Sequence, residues 1–164
     1  MKFTVREATE QDIPGIIQCA AETWHDTYED ILGPRTIAAE LAEYYNQQAI
    51  ANHLKRPNST FLVAEYKSQI IGFAQAYDHG PLVELARLYV LPHYQRKGVG
   101  SALLRKAAEF VPAGKKLSLN VHRDNDKARN FYEKHGFRNK KGLYHSQDNG
   151  RLIHLLEYDI GPKE

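Results

Sequence analysis

Residues 88–104, LYVLPHYQRKGVGSALL, constrain the fold more than any other segment of the sequence. The segment opens with an apolar run that stops at Pro92, as a buried strand does at its end. A basic turn containing Gly98 and Gly100 follows. The apolar residues after this turn recur at helical spacing: Val99, Leu103, Ala107 and Phe110. The segment therefore predicts a strand that leads through a glycine turn directly into a helix.

The glycines of this turn indicate an anion-binding site. Glycine lets backbone N–H groups approach a ligand without an intervening side chain, and the first turn of a helix offers unpaired donors at the positive end of its dipole. Arg96 and Lys97 add mobile positive charge beside Gly98 and Gly100. A phosphorylated cofactor is favoured, although a solvated loop that caps a helix has the same pattern. The glycine spacing of dinucleotide folds and the G-K-[ST] of phosphate loops are not found here.

The first third of the sequence predicts one short strand and then helices. The strand covers residues 3–7, and the first helix begins near Thr9. Gly33 and Pro34 stop this helix and start the next one. Helical sequence then continues as far as Arg56.

Strand patterns dominate the remainder. Strands are predicted at 60–66, 70–78, 82–91, 117–122, 136–146 and 151–160. A helix before the last two strands is capped by Asp124 or Asn125 and ends at Gly136, and the last two strands flank a turn at 147–150. We predict one α/β (α+β) domain that spans residues 1–164.

Composition and charge narrow the class of protein. With 22 Lys and Arg against 20 Asp and Glu, the net charge is +2, so neither nucleic acid nor a membrane is expected as a partner. The amino terminus is too charged for a signal peptide, no segment is apolar enough to span a membrane, and Cys19 is the lone cysteine. These features favour a cytoplasmic protein. The 8 histidines lack metal-ligand spacing, so no metal is expected.

Two segments resemble motifs of the GCN5-related N-acetyltransferase (GNAT) family. Residues 95–100 match the acetyl-CoA pyrophosphate motif Q/R-x-x-G-x-G/A, and residues 125–137 match the later motif N-x-x-A-x-x-F-Y-x-x-x-G-F. A predicted strand lies between them, as in the family. The stretches ELARLYVLP and AETWHDTYEDI are similar to the bacterial spermidine/spermine N-acetyltransferase branch.

The resemblance implies an acetyl-CoA-dependent N-acetyltransferase with the GNAT fold. This fold is a mixed, mostly antiparallel, twisted sheet of about six or seven strands with about four or five helices, splayed where acetyl-CoA binds. In the family, the strand that here ends at Val90 holds the pantetheine arm, and the N–H near Val90 would face the thioester oxygen. The residues implied to bind the cofactor are Leu88, Tyr89, Val90, Gln95, Arg96, Lys97, Gly98, Val99, Gly100, Ser101, Asn125, Ala128, Phe131 and Tyr132.

Tyr132 is the candidate general acid. It shares one face of its predicted helix with Ala128, Phe131 and His135, where an aromatic residue without further context is core. The equivalent tyrosine of the family commonly protonates the coenzyme A thiolate. Reference pKa values of about 10 for a phenol and about 8.5 for a thiol put the cost of that transfer at about 2 kcal/mol. His135 is the next candidate.

Glu84 and His122 are candidates for the base that takes a proton from the acceptor amine. Glu84 occupies a position where many relatives carry a glutamate in this role, but it can equally face solvent or pair with Arg87. A hydrogen-bonded histidine is the more ordinary interpretation of His122. Cys19 lies among core-forming positions, so packing is favoured over a nucleophile. Direct attack in a ternary complex, without an acyl-enzyme, is the resulting hypothesis.

The acceptor is expected to be a primary amine of a small cation, for which a polyamine is a candidate. An acidic stripe on the first helix, which can also be a solvated face, contains Glu22, Asp26, Glu29 and Asp30. The residues predicted to contact the acceptor are Trp24, His25, Asp26, Tyr28, Glu84 and His122. Aromatic faces and carboxylates suit the ammonium groups of a polyamine.

Other acceptors and other functions stay open at this stage. A protein N-terminus, an aminoglycoside or an amino acid are further acceptors, and either a monomer or a homodimer is compatible with the sequence. A catalytically silent acyl-CoA sensor would lack the acid and the base, whereas Tyr132 and Glu84 are both present. A binder of another nucleotide phosphate would need magnesium ligands, for which no motif is found.

Overall fold

The computed structural model describes residues 1–145 and 152–159, so the turn predicted at 147–150 lies outside the described residues. The strands are β1 (Thr4–Glu7), β2 (Ser59–Tyr66), β3 (Gln69–Asp78), β4 (Leu82–Val90), β5 (Lys116–His122), β6 (Arg138–His145) and β7 (Leu152–Asp159). The α-helices are α1 (Ile13–Leu32), α2 (Pro34–Tyr44), α3 (Gln47–Leu54), α4 (Val99–Phe110) and α5 (Asp126–Lys134). Short 3₁₀ turns precede α1 (Glu10–Asp12) and follow β4 (Pro92–Tyr94).

The strands of the described chain form one sheet in the order β1-β2-β3-β4-β5-β7-β6. Neighbouring strands are antiparallel except for β4 and β5, which are parallel. The expected mixed, mostly antiparallel sheet flanked by helices is therefore confirmed. The parallel pair is short: it ends at Glu84↔Ser118, although β4 continues to Val90 and β5 to His122. Beyond this pair the two strands separate.

A β-bulge changes which side chains of β4 share a face. Gln75 of β3 pairs with Arg87, but the next residue, Ala76, pairs with Leu85, so Ala86 is the extra residue. Directly opposed residues lie on the same face of a sheet. Arg87 and Tyr89 therefore lie on the face of Gln75 and Phe73, and the bulge places Glu84, which pairs with Tyr77, on that face too.

Helices cover both faces of the sheet. On one face, Phe73 packs against Tyr45, which follows α2, with ring centroids 6.1 Å apart. On the other face, a Cβ atom on Gly72 would lie 3.1 Å from Leu103 of α4. The two layers bury a continuous apolar core that includes Ile16, Phe73 and Leu103.

The helix boundaries agree with the sequence except at one point. Gly33 has φ of 82° between α1 and α2, Asn125 accepts the N–H of Ala128 at 3.2 Å as the cap of α5, and Gly136 has φ of 91° after it. The single helical run predicted up to Arg56 is wrong. It breaks after Tyr44, because the Asn46 side chain accepts the Ala49 N–H at 2.8 Å and starts a new helix, α3.

Candidate active site

A cleft of about 500 Å³ opens where β4 and β5 separate. Residues 85–90 of β4 and 119–121 of β5 form its floor. Its walls contain the first residues of α4, one side of α5 and three residues of α1, namely Thr23, Thr27 and Tyr28. Since α1 and α4 lie on opposite faces of the sheet, the cleft can receive one ligand from each face.

The turn before α4 has the backbone that the glycine pattern predicts. Gly98 has φ of 84°, in the left-handed region that favours glycine, and Arg96 also has a positive φ of 60°. Ala102 donates to the carbonyl of Gly98 at 3.0 Å, so the preceding N–H groups of α4 have no partner within the helix. They point toward the mouth of the cleft together with the exposed side chain of Arg96. This arrangement suits a phosphate group.

Gly100 lets α5 approach the start of α4. A Cβ atom at this position would lie 3.3 Å from the Phe131 ring and 3.7 Å from Val90. A larger side chain would therefore displace the wall of the cleft. At Gly98, by contrast, a Cβ atom would meet nothing within 4 Å, so the left-handed backbone is the requirement there.

Val90 presents backbone groups to the open edge of β4. Leu91 donates its N–H to Ile71 of β3 at 2.8 Å. Because successive N–H groups of a strand point in opposite directions, the N–H of Val90 points toward the gap between β4 and β5. Gln95 donates its side-chain amide to the carbonyl of Val90 at 3.0 Å and accepts a hydrogen bond from Lys127 of α5. Gln95 thus connects β4 with α5 at the end of the cleft next to α4, the α4 mouth.

Most of the residues predicted to bind the cofactor line this cleft. They are Leu88, Tyr89, Val90, Gln95, Arg96, Gly98, Gly100, Ser101, Asn125, Ala128, Phe131 and Tyr132. Val99 is buried in the core beneath the turn, and Lys97 is exposed outside it, with its Nζ 5.9 Å from the Tyr94 ring.

Tyr132 lies in the α5 wall, with its ring packed between Phe131 and Phe137 at centroid distances of 5.2 and 5.4 Å. The hydroxyl makes no hydrogen bond within the described part of the chain. Burial, and secondarily the nearby Tyr28, raise the pKa of Tyr132 above its ordinary value near 10. At neutral pH the hydroxyl is therefore protonated and able to donate.

His135 is held at the cofactor end of the cleft. Its Nδ1 lies 2.8 Å from the carbonyl of Phe131, which can only accept, so Nδ1 carries the proton. Nε2 then accepts the hydroxyl of Ser101 at 2.9 Å. Both ring nitrogens of His135 are therefore occupied by hydrogen bonds within the protein.

The end of the cleft that Thr23, Thr27 and Tyr28 of α1 line, the α1 mouth, has an aromatic residue in Tyr28. Trp24 is buried, packs 4.7 Å from Tyr28 and 6.1 Å from Tyr89, and does not line the cleft. Asp26 is exposed on the helix surface beside Thr23 and Thr27. His25 is exposed and lies 3.7 Å from Glu29, away from the cleft. None of the four acidic residues of the predicted stripe lines this cleft, and Glu22 lines a separate cavity instead.

Glu84 and His122 flank the cleft without lining it. Glu84 accepts a hydrogen bond from Nε2 of His79 at 2.8 Å and belongs to the paired part of β4. It does not pair with Arg87, which was the alternative from sequence. His122 ends β5, and its Nδ1 accepts the backbone N–H of Asp124 at 3.2 Å.

Arg87 is the residue that the sequence did not single out. It lines the cleft, and its Nη2 lies 3.1 Å from Nε2 of His53, while its Nε and Nη1 are buried without a hydrogen-bond partner among the described residues. Burial and the charges of Arg87 and Arg56 lower the pKa of His53 to about 4, so His53 is neutral and can accept from Arg87. The sequence could not show that Arg87 and Glu84 share a face of β4, because this depends on the bulge at Ala86.

Cys19 does not line the cleft. It is buried at the edge of a separate cavity formed by β1, α1 and the end of β2, and burial raises its pKa to about 12. Among residues 1–145 and 152–159, no group of three or more His, Cys, Asp and Glu side chains is arranged to hold a metal ion. The helices of the same residues include none that is long and apolar enough to cross a membrane.

Known proteins are similar to this chain both in sequence and in architecture. The sequence model of the acetyltransferase (GNAT) family matches residues 21–137. A spermidine N(1)-acetyltransferase of Thermoplasma acidophilum is 32% identical over 144 residues, 84% of this chain and 89% of that protein. An N-alpha-acetyltransferase of Sulfurisphaera tokodaii is 30% identical over 131 residues, 71% of this chain and 78% of that protein.

Solved structures agree with these matches. The crystal structure of the PaiA N-acetyltransferase of Thermoplasma acidophilum in complex with coenzyme A superposes with a TM-score of 0.82 and 28% identity, and covers 96% of this chain and 100% of that one. The cleft between β4 and β5, the glycine turn before α4 and these similarities lead to one conclusion. The chain belongs to the GNAT family and is an acetyl-CoA-dependent N-acetyltransferase.

Proposed function

We propose that the protein transfers an acetyl group directly from acetyl-CoA to an unprotonated primary amine of a small cationic acceptor, with both substrates bound together. The observation that carries this proposal is a single cleft with walls from both faces of the sheet, with Tyr132 and the N–H of Val90 facing its interior. A ternary complex requires such a cleft, because donor and acceptor must meet without leaving the protein.

The residues at the α4 mouth fit the cofactor. The free N–H groups of the first turn of α4 and the side chains of Arg96 and Lys127 would hold its phosphates. Gly100 and Phe131 shape the passage between α4 and α5. Acetyl-CoA supplies the acyl group and a thiol leaving group. The N–H of Val90 would stabilise negative charge that develops on the acyl oxygen.

Tyr132 would donate its hydroxyl proton to the departing sulfur. Burial raises the pKa of Tyr132 and makes the phenol a weaker acid than the sequence alone suggests. Burial in the same cleft also raises the pKa of a thiol, because low polarity disfavours both anions. The difference between the two groups, about 2 kcal/mol from their reference pKa values, is therefore partly preserved.

Glu84 is our candidate for the final acceptor of the amine proton. The bulge at Ala86 places it on the same sheet face as Arg87 and Tyr89, which is the face that α1 covers. Since it does not line the cleft, it would act through water. The thiol of Cys19 is buried, and burial raises its pKa to about 12, so it stays protonated and is a poor nucleophile at neutral pH. This argues against an acyl-enzyme on Cys19 and supports direct attack.

A polyamine is our first candidate for the acceptor. The similarity to a spermidine N(1)-acetyltransferase supports it, as do the exposed carboxylates of Asp26 and Asp30, each three residues after a threonine of α1 that lines the cleft. Tyr28 adds an aromatic face inside the mouth. A peptide N-terminus is the second candidate, supported by the similarity to an N-alpha-acetyltransferase. A cytoplasmic location and a monomer or homodimer stay predictions.

The test is to incubate the protein with acetyl-CoA and a panel of amines, including spermidine, spermine, monoamines and short peptides, and to follow release of free thiol. We expect the largest kcat/KM with a polyamine. Binding of acetyl-CoA without release of thiol for any amine would instead identify a silent sensor.

Variants of α1 test the acceptor assignment. Asp26→Asn and Asp30→Asn should raise the KM for a polyamine and leave the KM for acetyl-CoA unchanged. Glu109→Gln is the matched control, because it removes the same charge from the exposed surface of α4, on the opposite face of the sheet. If the KM for a polyamine is the same in all three variants and the wild type, the acidic residues form a solvated surface and do not bind the acceptor.

A further inference from the structure

Arg87 carries a positive charge that the described part of the protein does not balance. No carboxylate lies within 4.0 Å of its guanidinium among those residues, and its one hydrogen-bonded partner is the neutral ring of His53. Nε and Nη1 are buried without partners. Burying a charge without a counter-ion or full hydrogen bonding is costly. A position that retains such a charge is a candidate for a role beyond packing.

The described lining of the cleft beside Arg87 contains no carboxylate, and its one histidine, His135, has both ring nitrogens in hydrogen bonds. The same lining contains the cations Arg87, Arg96, Lys127 and Lys134. Arg96 and Lys127 lie at the α4 mouth, where the cofactor phosphates would neutralise them. Arg87 lies instead on the face that α1 covers. The amine must lose its proton there, although no carboxylate contacts it directly.

The groups in contact with Arg87 are uncharged, and a second cation, Arg56, lies behind them, 3.6 Å from the centroid of the Tyr77 ring and close enough to lower the pKa of His53. Tyr45, the residue after α2, has its ring centroid 5.1 Å from the guanidinium carbon, and His53 of α3 is the hydrogen-bonded neighbour. From β3 come Gln75 and Tyr77, which hydrogen-bond each other at 3.0 Å. The further titratable groups toward the cleft are Tyr28, Tyr89 and Tyr132. On the same strand face, Glu84 bonds to His79.

We propose that the charge of Arg87 favours the unprotonated form of the acceptor amine in the cleft, so that water can carry its proton away. The proposal rests on the acetyl transfer proposed above and explains how attack proceeds without a carboxylate in the cleft. For an assumed separation of about 8 Å and an effective dielectric constant of about 20, a unit positive charge lowers the pKa of an amine by roughly 1 to 2 units. Arg87 would act through its electrostatic field on the amine, without direct contact with the reacting atoms.

The test is the pH dependence of the single-turnover rate at saturating acetyl-CoA and acceptor, which reports groups in the bound complex. We expect Arg87→Met to move the ascending limb to higher pH by roughly 1 to 2 units, with a plateau at high pH close to that of the wild type. Arg87→Lys keeps the charge and should keep the limb. Arg105→Met is the matched control, because Arg105 is exposed on α4, across the sheet.

Two monoamines of different basicity identify the titrating group. If the limb reports the bound amine, it should follow the basicity of the acceptor in both the wild type and Arg87→Met. The proposal would be overturned by any of three results. The limb could stay at the same pH for both amines, it could stay unmoved in Arg87→Met, or it could move equally in Arg105→Met. A wild type that releases no thiol with any amine would refute the proposed function itself.

Stability separates this role from a structural one. Because Nε and Nη1 of Arg87 are buried without hydrogen-bond partners among the described residues, Arg87→Met should unfold at a temperature equal to or above that of the wild type. Arg87→Gln is the second variant, with the same expectation. Failure of both variants to fold, or a clear loss of melting temperature in both, would assign Arg87 to packing and overturn the proposal.

Discussion

Removing the hydroxyl of Tyr132 separates chemistry from structure more cleanly than any other change in the cleft. The ring contacts with Phe131 and Phe137 remain in Tyr132→Phe. The hydroxyl has no hydrogen bond to lose within the described residues, so the free energy of unfolding should change by less than about 1 kcal/mol. Affinity for acetyl-CoA should also hardly change.

Turnover should fall by about 10²- to 10⁴-fold, the usual cost of losing a general acid. That loss corresponds to about 3 to 5 kcal/mol of activation free energy, well above the stability change, so partial unfolding cannot imitate it. The assay is release of free thiol under single-turnover conditions, with binding of acetyl-CoA measured separately. Donors whose thiols are more acidic should show a smaller defect, because a better leaving group needs less protonation.

Two results would refute the reasoning about Tyr132. Normal turnover in Tyr132→Phe would make the residue part of the packing of α5. A large defect that is the same for every donor thiol would show that the hydroxyl acts at another step. Because burial raises the pKa of Tyr132, wild-type activity should also persist to about pH 10, and a descending limb near neutral pH would contradict its role as the acid.

Three further changes test other parts of the molecule. Gly98→Val should fold with a loss of roughly 1 to 2 kcal/mol from its left-handed backbone, yet lose most of its affinity for acetyl-CoA in calorimetry; unchanged affinity would exclude the turn as the phosphate site. Glu84→Gln should lower turnover most near neutral pH and recover partly at high pH, whereas a loss independent of pH would make Glu84 an acceptor anchor. Arg6 bonds the Asp12 carboxylate at 2.7 Å and lowers its pKa, so this stabilisation is present above pH 4 and lost as the pH falls through the lowered value. Asp12→Asn should therefore lose about 1 to 3 kcal/mol at pH 7 in denaturant unfolding and show a flatter acid decline; a decline as steep as that of the wild type would locate acid sensitivity elsewhere.

Local patterns in the sequence were sufficient for the elements that carry the cofactor mouth. The strand, the glycine turn and α4 follow from apolar spacing and from Gly98, and Asn125 and Gly136 bound α5 as predicted. Each of these depends on residues close together in the chain. The break at Tyr45 and Asn46 was also readable in principle, since Asn46 is a favoured helix cap, but the surrounding helical spacing concealed it.

The acceptor side could not be predicted in the same way. The bulge at Ala86 depends on how β3 and β4 align, and no local pattern specifies that register. Without the bulge, Glu84 and Arg87 would lie on opposite faces, and the charge of Arg87 would have no evident connection with the acceptor. The bond between Ser101 and His135 likewise joins two helices that are distant in sequence.

The two proposed proton transfers are separated by the cleft itself. Tyr132 stands in the α5 wall, while Arg87 and Glu84 belong to β4 on the face that α1 covers. The amine would lose its proton on the α1 side, and the sulfur would gain one from the α5 side. No side chain then has to act as both base and acid in one turnover. Tyr132 is buried and its pKa is raised, which suits a group that only donates a proton. The positive charge of Arg87, which no carboxylate balances among the described residues, suits a site where the amine must be neutral. In this proposal, the splay between β4 and β5 both admits the cofactor and lets the two proton transfers use different elements, β4 for the amine and α5 for the sulfur.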